Sequence, residues 1–203
     1  MAGNAVIQAI PNNSDTYAVF NLSNVENVVI AGGTIKGEWG HCIKIIEGCN
    51  NIKIDSVITQ DGWGDGIYLG SNMTINYLKN VLVTNVISTN NRRQGLSIVS
   101  CDGVIIRDSD FTNQNGTAPE SGIGIEPNHW ETHKGIAPKN IIIENCLLSG
   151  NMEKGFMLRL NGLKRKVFIL VMVSLANLLD NSMGLNHMFR TMMIFGIFNI
   201  FYY

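Results

Sequence analysis

The sequence predicts an all-β chain, a right-handed parallel β-helix solenoid of about five rungs with an atypical C-terminal tail. Three observations carry this: a composition of strand and turn formers, a repeated strand start, and a second strand headed by glycine at a constant distance from the first. The 203 residues are 45% hydrophobic, enough for one continuous core. Asn, Gly, Ile, Val and Thr dominate, and the helix formers Ala, Leu, Glu and Lys are sparse. Only 15% of residues are charged, the formal net charge is −1, and no long Lys/Arg run occurs before residue 164, so no nucleic-acid partner is expected. The segment Met1–Ile10 has no basic stretch and too short an apolar run for a secretory signal, which leaves the compartment open.

The first strand of each unit begins at Asn27, Asn51, Asn80, Gly103 and Asn140, each followed by apolar residues at alternate positions: Val28/Ile30, Ile52/Ile54, Val81/Val83, Val104/Ile106 and Ile141/Ile143. The units are 24, 29, 23 and 37 residues apart. Fifteen residues after the Asn, a second strand opens at Cys42, Gly66, Gly95 and Gly155. In the fourth unit the interval to Gly122 is nineteen, and the turn-rich insertion Asn113–Pro119 accounts for the excess. A two- or three-strand unit cannot bury its apolar face alone, whereas stacking equivalent strands every ~4.8 Å seats each inward Ile or Val on the one below. Parallel crossovers are overwhelmingly right-handed, which sets the expected hand.

Gly32, Ser56, Asn85, Asp108 and Asn145 occupy one column after the first strand and read as corners. Cys49 and Cys101 share a column two rungs apart, roughly 9.6 Å at the rung spacing, beyond the reach of a disulfide. With Cys42 and Cys146 in other columns, four free thiols are expected. Rungs cover residues 1–162. From 163 to 203 the composition turns to Met, Phe, Leu and Ile, and three readings of that tail stand: a shifted reading frame that truncates the helix, which leads; a cap over the open stack; and a membrane anchor, for which the apolar run is short of ~20 residues. No membrane partner is expected. The rung-like character of Ala5–Leu22 also suggests a fragment.

Strand alternation puts Lys44, Tyr68, Ser97, Gly124 and Met157 in one outward column, with Asp65, Gln94, Ser121 and Lys154 just before the glycines. The same column repeats along the direction in which an extended polymer would lie, so a polysaccharide is the expected partner. Asp61-Gly-Trp-Gly-Asp-Gly66 is the richest segment, with Glu38-Trp39 one rung earlier and Arg92-Arg93 one rung later. Trp39 and Trp63 are candidate sugar platforms beside acids. Glycosidic hydrolysis needs two carboxyls, about 5–5.5 Å apart for retention or ~6.5–9.5 Å for inversion. Asp65 paired with Asp61 or with Glu120 is the candidate catalytic set. Glu38, Trp39, Trp63, Tyr68, Arg92, Arg93 and Glu126 are candidate substrate contacts, with Glu126 displaced along the strand and suited to bonding Arg92 or Arg93. The equally weighted alternative is that each Trp packs a loop and each Asp caps a turn. The spacing suits no calcium loop, and the histidines of His129-Trp-Glu-Thr-His133 sit in a Pro-flanked insertion rather than on a helix, so neither metal nor cofactor is expected.

The runs Val28–Gly37, Gly37-Glu-Trp-Gly40, Trp63–Gly70, Asn90–Ser97 and Gly122–Asn128 resemble the right-handed parallel β-helix proteins of the pectin-lyase-like superfamily, which include polygalacturonase-like hydrolases and phage tailspike-type depolymerases. The resemblance spans about residues 5 to 160. It implies a carbohydrate-active protein, an extracellular or virion location, and a homotrimer by resemblance only. Polygalacturonase-like enzymes carry an Asp-Asp pair on one rung and Gly-His-Gly on the next. Here Gly64-Asp65-Gly66 matches half of the pair and Arg93-Gln94-Gly95 replaces the His motif. The resemblance also implies an acid at the position of Gly124. Three functions therefore stand: glycoside hydrolysis, non-catalytic glycan binding or a structural stalk, and a polysaccharide lyase in which Arg93 neutralises a uronate.

Overall fold

The computed structural model describes residues 5–10, 17–37, 39–70, 77–127 and 138–159, together with the strands at 168–175 and 192–199. Every regular element among the described residues is a strand: β1 (Val6–Gln8), β2 (Ala18–Leu22), β3 (Glu26–Ala31), β4 (Thr34–Lys36), β5 (His41–Ile45), β6 (Asn50–Asp55), β7 (Ile58–Gln60), β8 (Ile67–Gly70), β9 (Leu78–Thr84), β10 (Ile87–Thr89), β11 (Gln94–Arg107), β12 (Asp110–Thr112), β13 (Ser121–Ile125), β14 (Lys139–Glu144), β15 (Lys154–Leu158), β16 (Phe168–Leu175) and β17 (Met192–Asn199). They wind as a parallel β-solenoid with three faces. The first face stacks β1, β4, β7, β10 and β12. The second stacks β2, β5, β8, the start of β11, β13 and β15. The third stacks β3, β6, β9, the end of β11, β14 and β16. Because β11 runs unbroken from the second face into the third, those two count as one 12-stranded sheet.

The register is the one the repeat predicts. Val28, Ile52, Val81, Val104 and Ile141 lie opposite one another, so the third face has five matched levels enclosing four turns before the tail. Ile43, Ile67, Leu96 and Ile123 do the same on the second face. Nearly all of these side chains are fully buried, each contributing about 1.5–3 kcal/mol relative to exposure. Leu78 stands between Cys49 and Cys101 in their column. All four thiols are buried, which raises that of Cys101 and pushes that of Cys146 up to about 12.

The corners explain the asparagines. The strand-start residues Asn27, Asn51, Asn80 and Asn140 have φ between 53° and 59°, and the column Ser56, Asn85, Asp108 and Asn145 lies between 50° and 56°. Asn and Asp tolerate this left-handed geometry because their short polar side chains bond locally. They also bond from level to level: Asn51 Nδ2 donates to Asn27 Oδ1 at 2.6 Å and Asn145 Nδ2 to Asp108 Oδ1 at 2.5 Å.

The first face departs from the simple pattern. Its strands are three residues long, and its inward column is Ile7, Ile35, Thr59, Ser88 and Phe111. Thr59 Oγ1 donates to Ser88 Oγ at 2.9 Å, and Ser88 Oγ donates to Gly95 O at 2.8 Å. Asn91, Gln114 and Asn151 continue this interior polar seam, Gln114 Nε2 reaching Ser88 O and Thr112 O, and Asn151 Nδ2 reaching Phe111 O. The seam explains the heading glycines: a Cβ on Gly66 would overlap Ser88 Oγ and stand 2.6 Å from Thr59 Oγ1.

The rung signature stops near Gly162, yet β16 adds a further parallel level, with Val171 opposite Ile141, and β17 pairs antiparallel to it. No helix among the described residues is long and apolar enough to cross a membrane. Glu38, the His129/His133 pair and the basic run Lys164–Lys166 lie outside the described residues.

Candidate functional site

Three short segments, 39–41, 63–65 and 92–94, reach the corner before the second face at successive levels and supply two clusters. Gly66 directs its missing side chain into the polar seam, so Asp65 before it faces outward. The Asp65 carboxylate is 1% exposed. Its Oδ2 accepts from Ser97 Oγ at 2.8 Å, one level up. His41, one level down, lies with Nδ1 at 3.5 Å from Oδ2 and accepts the Asp65 backbone N–H at 3.1 Å. That bond places the proton of a neutral His41 ring on Nε2. Gly64 makes the approach feasible, since a Cβ there would lie 3.0 Å from His41 Nδ1. Arg93 Nη1 stands 3.9 Å from Asp65 Oδ1, too long for a hydrogen bond.

Next along the face, Lys44, Tyr68, Ser97, Gly124 and Met157 form the outward column that strand alternation predicts. The Tyr68 ring lies 4.9 Å from that of His41, with Lys44 Nζ 6.0 Å from its centroid. Gln94, in the column of Asp65, extends over Gly124, where a Cβ would overlap Gln94 Oε1. The room that the resemblance would give to an acid at Gly124 is thus filled by an amide. Gln94 Nε2 donates to Glu126 Oε2 at 2.5 Å, and Glu126 Oε1 lies 3.3 Å from Arg159 Nη1. Three buried polar atoms have no hydrogen-bond partner among the described residues: Asp65 Oδ1, Gln94 Oε1 and Ser121 Oγ. They belong to consecutive levels of one column. Such orphans are rare because each costs about 1–3 kcal/mol, and their concentration here marks this face.

The second cluster is a stack. The rings of Trp39 and Trp63 lie 4.2 Å apart and 10° from parallel, and the Arg92 guanidinium sits 3.7 Å above the Trp63 ring. Trp39 comes from the level below and Arg92 from the level above, so both faces of Trp63 are covered. Trp63 therefore presents its edge, with one ring face taken by Trp39 and the other by Arg92. Arg92 is itself backed by the following turn, with Gly116 so close that a Cβ would lie 2.7 Å from Arg92 Cγ. Around the stack is an open cleft of about 280 Å³ lined by Trp39, Asp61, Trp63, Asn90, Arg92 and Asn115.

The two acids paired with Asp65 from sequence are engaged elsewhere. Asp61 is an exposed corner residue with φ 56°, accepting from Asn90 Nδ2 at 2.6 Å and Gln60 Nε2 at 3.1 Å. Glu120 accepts the Gly116 N–H at 2.6 Å and pins the inserted turn. Glu126 bonds Gln94 and Arg159, instead of the expected Arg92 or Arg93. His41 was not among the expected site residues. The signal for it was available: it precedes Asp65 by 24 residues, one rung spacing.

No family model matches the chain. It is 32% identical over 172 residues to the uncharacterized protein YclG of Bacillus subtilis and 28% identical over 173 residues to the SPbeta prophage-derived uncharacterized protein YorA of the same organism. The matches cover 73% and 72% of this chain, which spans 29% of the length of each relative. Among solved structures it is similar to the tailspike protein gp49 from Acinetobacter baumannii bacteriophage Fri1, a capsular polysaccharide depolymerase, at 16% identity and a TM-score of 0.33 over 75% of this chain and 27% of that one.

Proposed function

We propose that the outward side of the second face handles a polysaccharide lying along the stack, and that Asp65 exchanges the proton in hydrolysis of a glycosidic bond. The observation that carries this is the state of the Asp65 carboxylate. One oxygen is fixed by Ser97, the other has no partner, and His41 and Arg93 flank it. A carboxyl oriented by neighbours yet left with an unused oxygen is suited to proton transfer. Reaching Oδ1 requires the half-exposed Arg93 side chain to turn aside.

A second reading, glycan binding without catalysis, is favoured by the near-complete burial of Asp65 and by glycine at position 124. Incubating the full chain and Asp65→Asn with a panel of polysaccharides separates the two. Reducing ends that form with the wild type and vanish in the variant, without ultraviolet-absorbing unsaturated ends, are expected. Unsaturated products would replace hydrolysis by elimination with Arg93 beside the acid group. Binding without products would favour the second reading.

A further inference from the structure

We infer that Asn115 is a self-modifying site: Glu120 takes the proton of the Gly116 N–H, that nitrogen closes on the Asn115 carboxamide, and the residue ends as aspartate or isoaspartate. A sequence pair, one hydrogen bond and a contrast with the other corners carry this.

In any asparagine the carboxamide carbon is joined to the next residue's nitrogen through its own Cβ, Cα and carbonyl carbon, so a five-membered ring can close between them. A β-branched successor crowds that nitrogen, and a strand fixes the backbone against closure. The corner asparagines have such protection. Asn27, Asn51, Asn80, Asn85 and Asn140 precede Val28, Ile52, Val81, Val86 and Ile141. Four of these successors lie inside β3, β6, β9 and β14, and the Val86 N–H donates to Ser109 Oγ. Asn115 has neither protection. Its successor, Gly116, has no side chain and lies outside the strands, and no other asparagine among the described residues precedes a glycine.

The Gly116 N–H donates to Glu120 Oε1 at 2.6 Å. This short, charge-assisted bond places a general base on the proton that must leave. Asn115 and Gly116 are both exposed, so water enters and ammonia leaves freely. Asn115 Nδ2 donates to Asn90 Oδ1 and to Asn113 O, both at 2.9 Å. Closure waits on rotation of the side chain out of these bonds, which makes the modification a slow, single event.

The steps balance. Glu120 removes the Gly116 proton as the nitrogen bonds Asn115 Cγ. The proton passes to Nδ2, and the Cγ–Nδ2 bond breaks with release of ammonia. Water then opens the ring at either carbonyl and leaves a carboxylate. One water is consumed, one ammonia is released, and no oxidant enters. The product alters the cleft beside the tryptophan stack, because Asn115 ends the row Asp61–Asn90–Asn115, in which each amide donates to the residue before it. A carboxylate there meets Asn90 Oδ1 acceptor to acceptor and sets a negative charge in the cleft that Arg92 also lines.

The test is to age the full chain at neutral pH, digest it and follow each asparagine by mass spectrometry. Asn115 is expected to exchange its amide for a carboxyl before any corner asparagine, as a mixture of aspartyl and isoaspartyl peptides. Conversion should be about tenfold slower in the chain unfolded by guanidinium, and also in Glu120→Gln, whose amide keeps an acceptor for Gly116 but is no base. The folded and unfolded wild types are compared without any variant, so the test stands even if Glu120→Gln does not fold. Equal rates in the folded and unfolded chains, or in the wild type and a folded Glu120→Gln, overturn the role of Glu120. An Asn115 that stays intact while corner asparagines convert overturns the site itself.

Discussion

The two clusters fed by segments 39–41, 63–65 and 92–94 use the same three levels and differ in how fully their groups are satisfied. In the Trp39–Trp63–Arg92 stack the central ring has a neighbour on each face, and the polar groups around it bond one another. A residue or two further along the same segments, Asp65 and Gln94 each keep a buried oxygen without a donor. A saturated cluster contributes cohesion, whereas an unsaturated one carries a cost in the folded state that a ligand can relieve. The difference does not lie in residue type, since both clusters contain an arginine and an aromatic ring.

The largest effect is expected where both clusters share a support. Gly66→Val would drive a branched side chain into Ser88, Thr59 and Asn91, combining overpacking with broken buried hydrogen bonds, for a loss of about 3–5 kcal/mol. A urea titration monitored by circular dichroism should find it unfolded at much lower denaturant than the wild type, and an unchanged midpoint would break the idea of a common polar support.

Next, Trp63→Ala and Asp65→Asn sharpen the contrast itself. Removing the centre of the stack should cost about 2 kcal/mol, since Trp63 is 39% exposed but covered on both faces. Asp65→Asn, which replaces a buried carboxyl by an amide of nearly the same shape, should leave the melting temperature within a few degrees or raise it. Equal losses in calorimetry would mean that the two clusters are the same kind of feature.

The smallest effect calibrates saturation at an ordinary surface carboxylate. Asp55, on the third face, is held at about 2 by Lys53, with Asn85 and Ser56 also donating to it. Because the folded-state value is depressed, the stabilisation is present above the ordinary carboxylate range near 3.8 and is lost as pH falls through about 2. The melting-temperature gap between wild type and Asp55→Asn should be a degree or two above pH ~4 and close by pH ~2. A gap that persists at the acid end would show that Asp55 acts through something other than its charge.

The stacked register was legible because two strands per unit alternate apolar residues and their corners need left-handed φ, which Asn, Asp and Gly supply. The third, short strand was not, because its inward residues include Thr59 and Ser88 and so carry no apolar alternation. The outward column has the predicted register, with Tyr68 in it and Asp65 in the column before the glycines. The partners of Asp65 did not: acids near it in sequence, Asp61 and Glu120, are spent on corners and turns. His41, Ser97 and Arg93 come from neighbouring rungs, where proximity is measured in units of 24 to 32 residues. Glu126 lies five positions further along the strand than the column of Asp65, and Gln94 reaches it by leaning across a side-chain-free glycine.

The left-handed corners have a kinetic consequence. Each rung closes on its neighbour through residues some two to three dozen positions apart, and each corner is already biased toward its bend by local side-chain bonding. Folding can therefore start at any rung and spread by adding one coil at a time, each addition closing a loop of 23 to 37 residues. Propagation of this kind makes the rate depend on the weakest corner and not on the length of the chain. In this chain the thirteen-residue interval in sequence between β13 and β14 is the step at which a growing stack would pause.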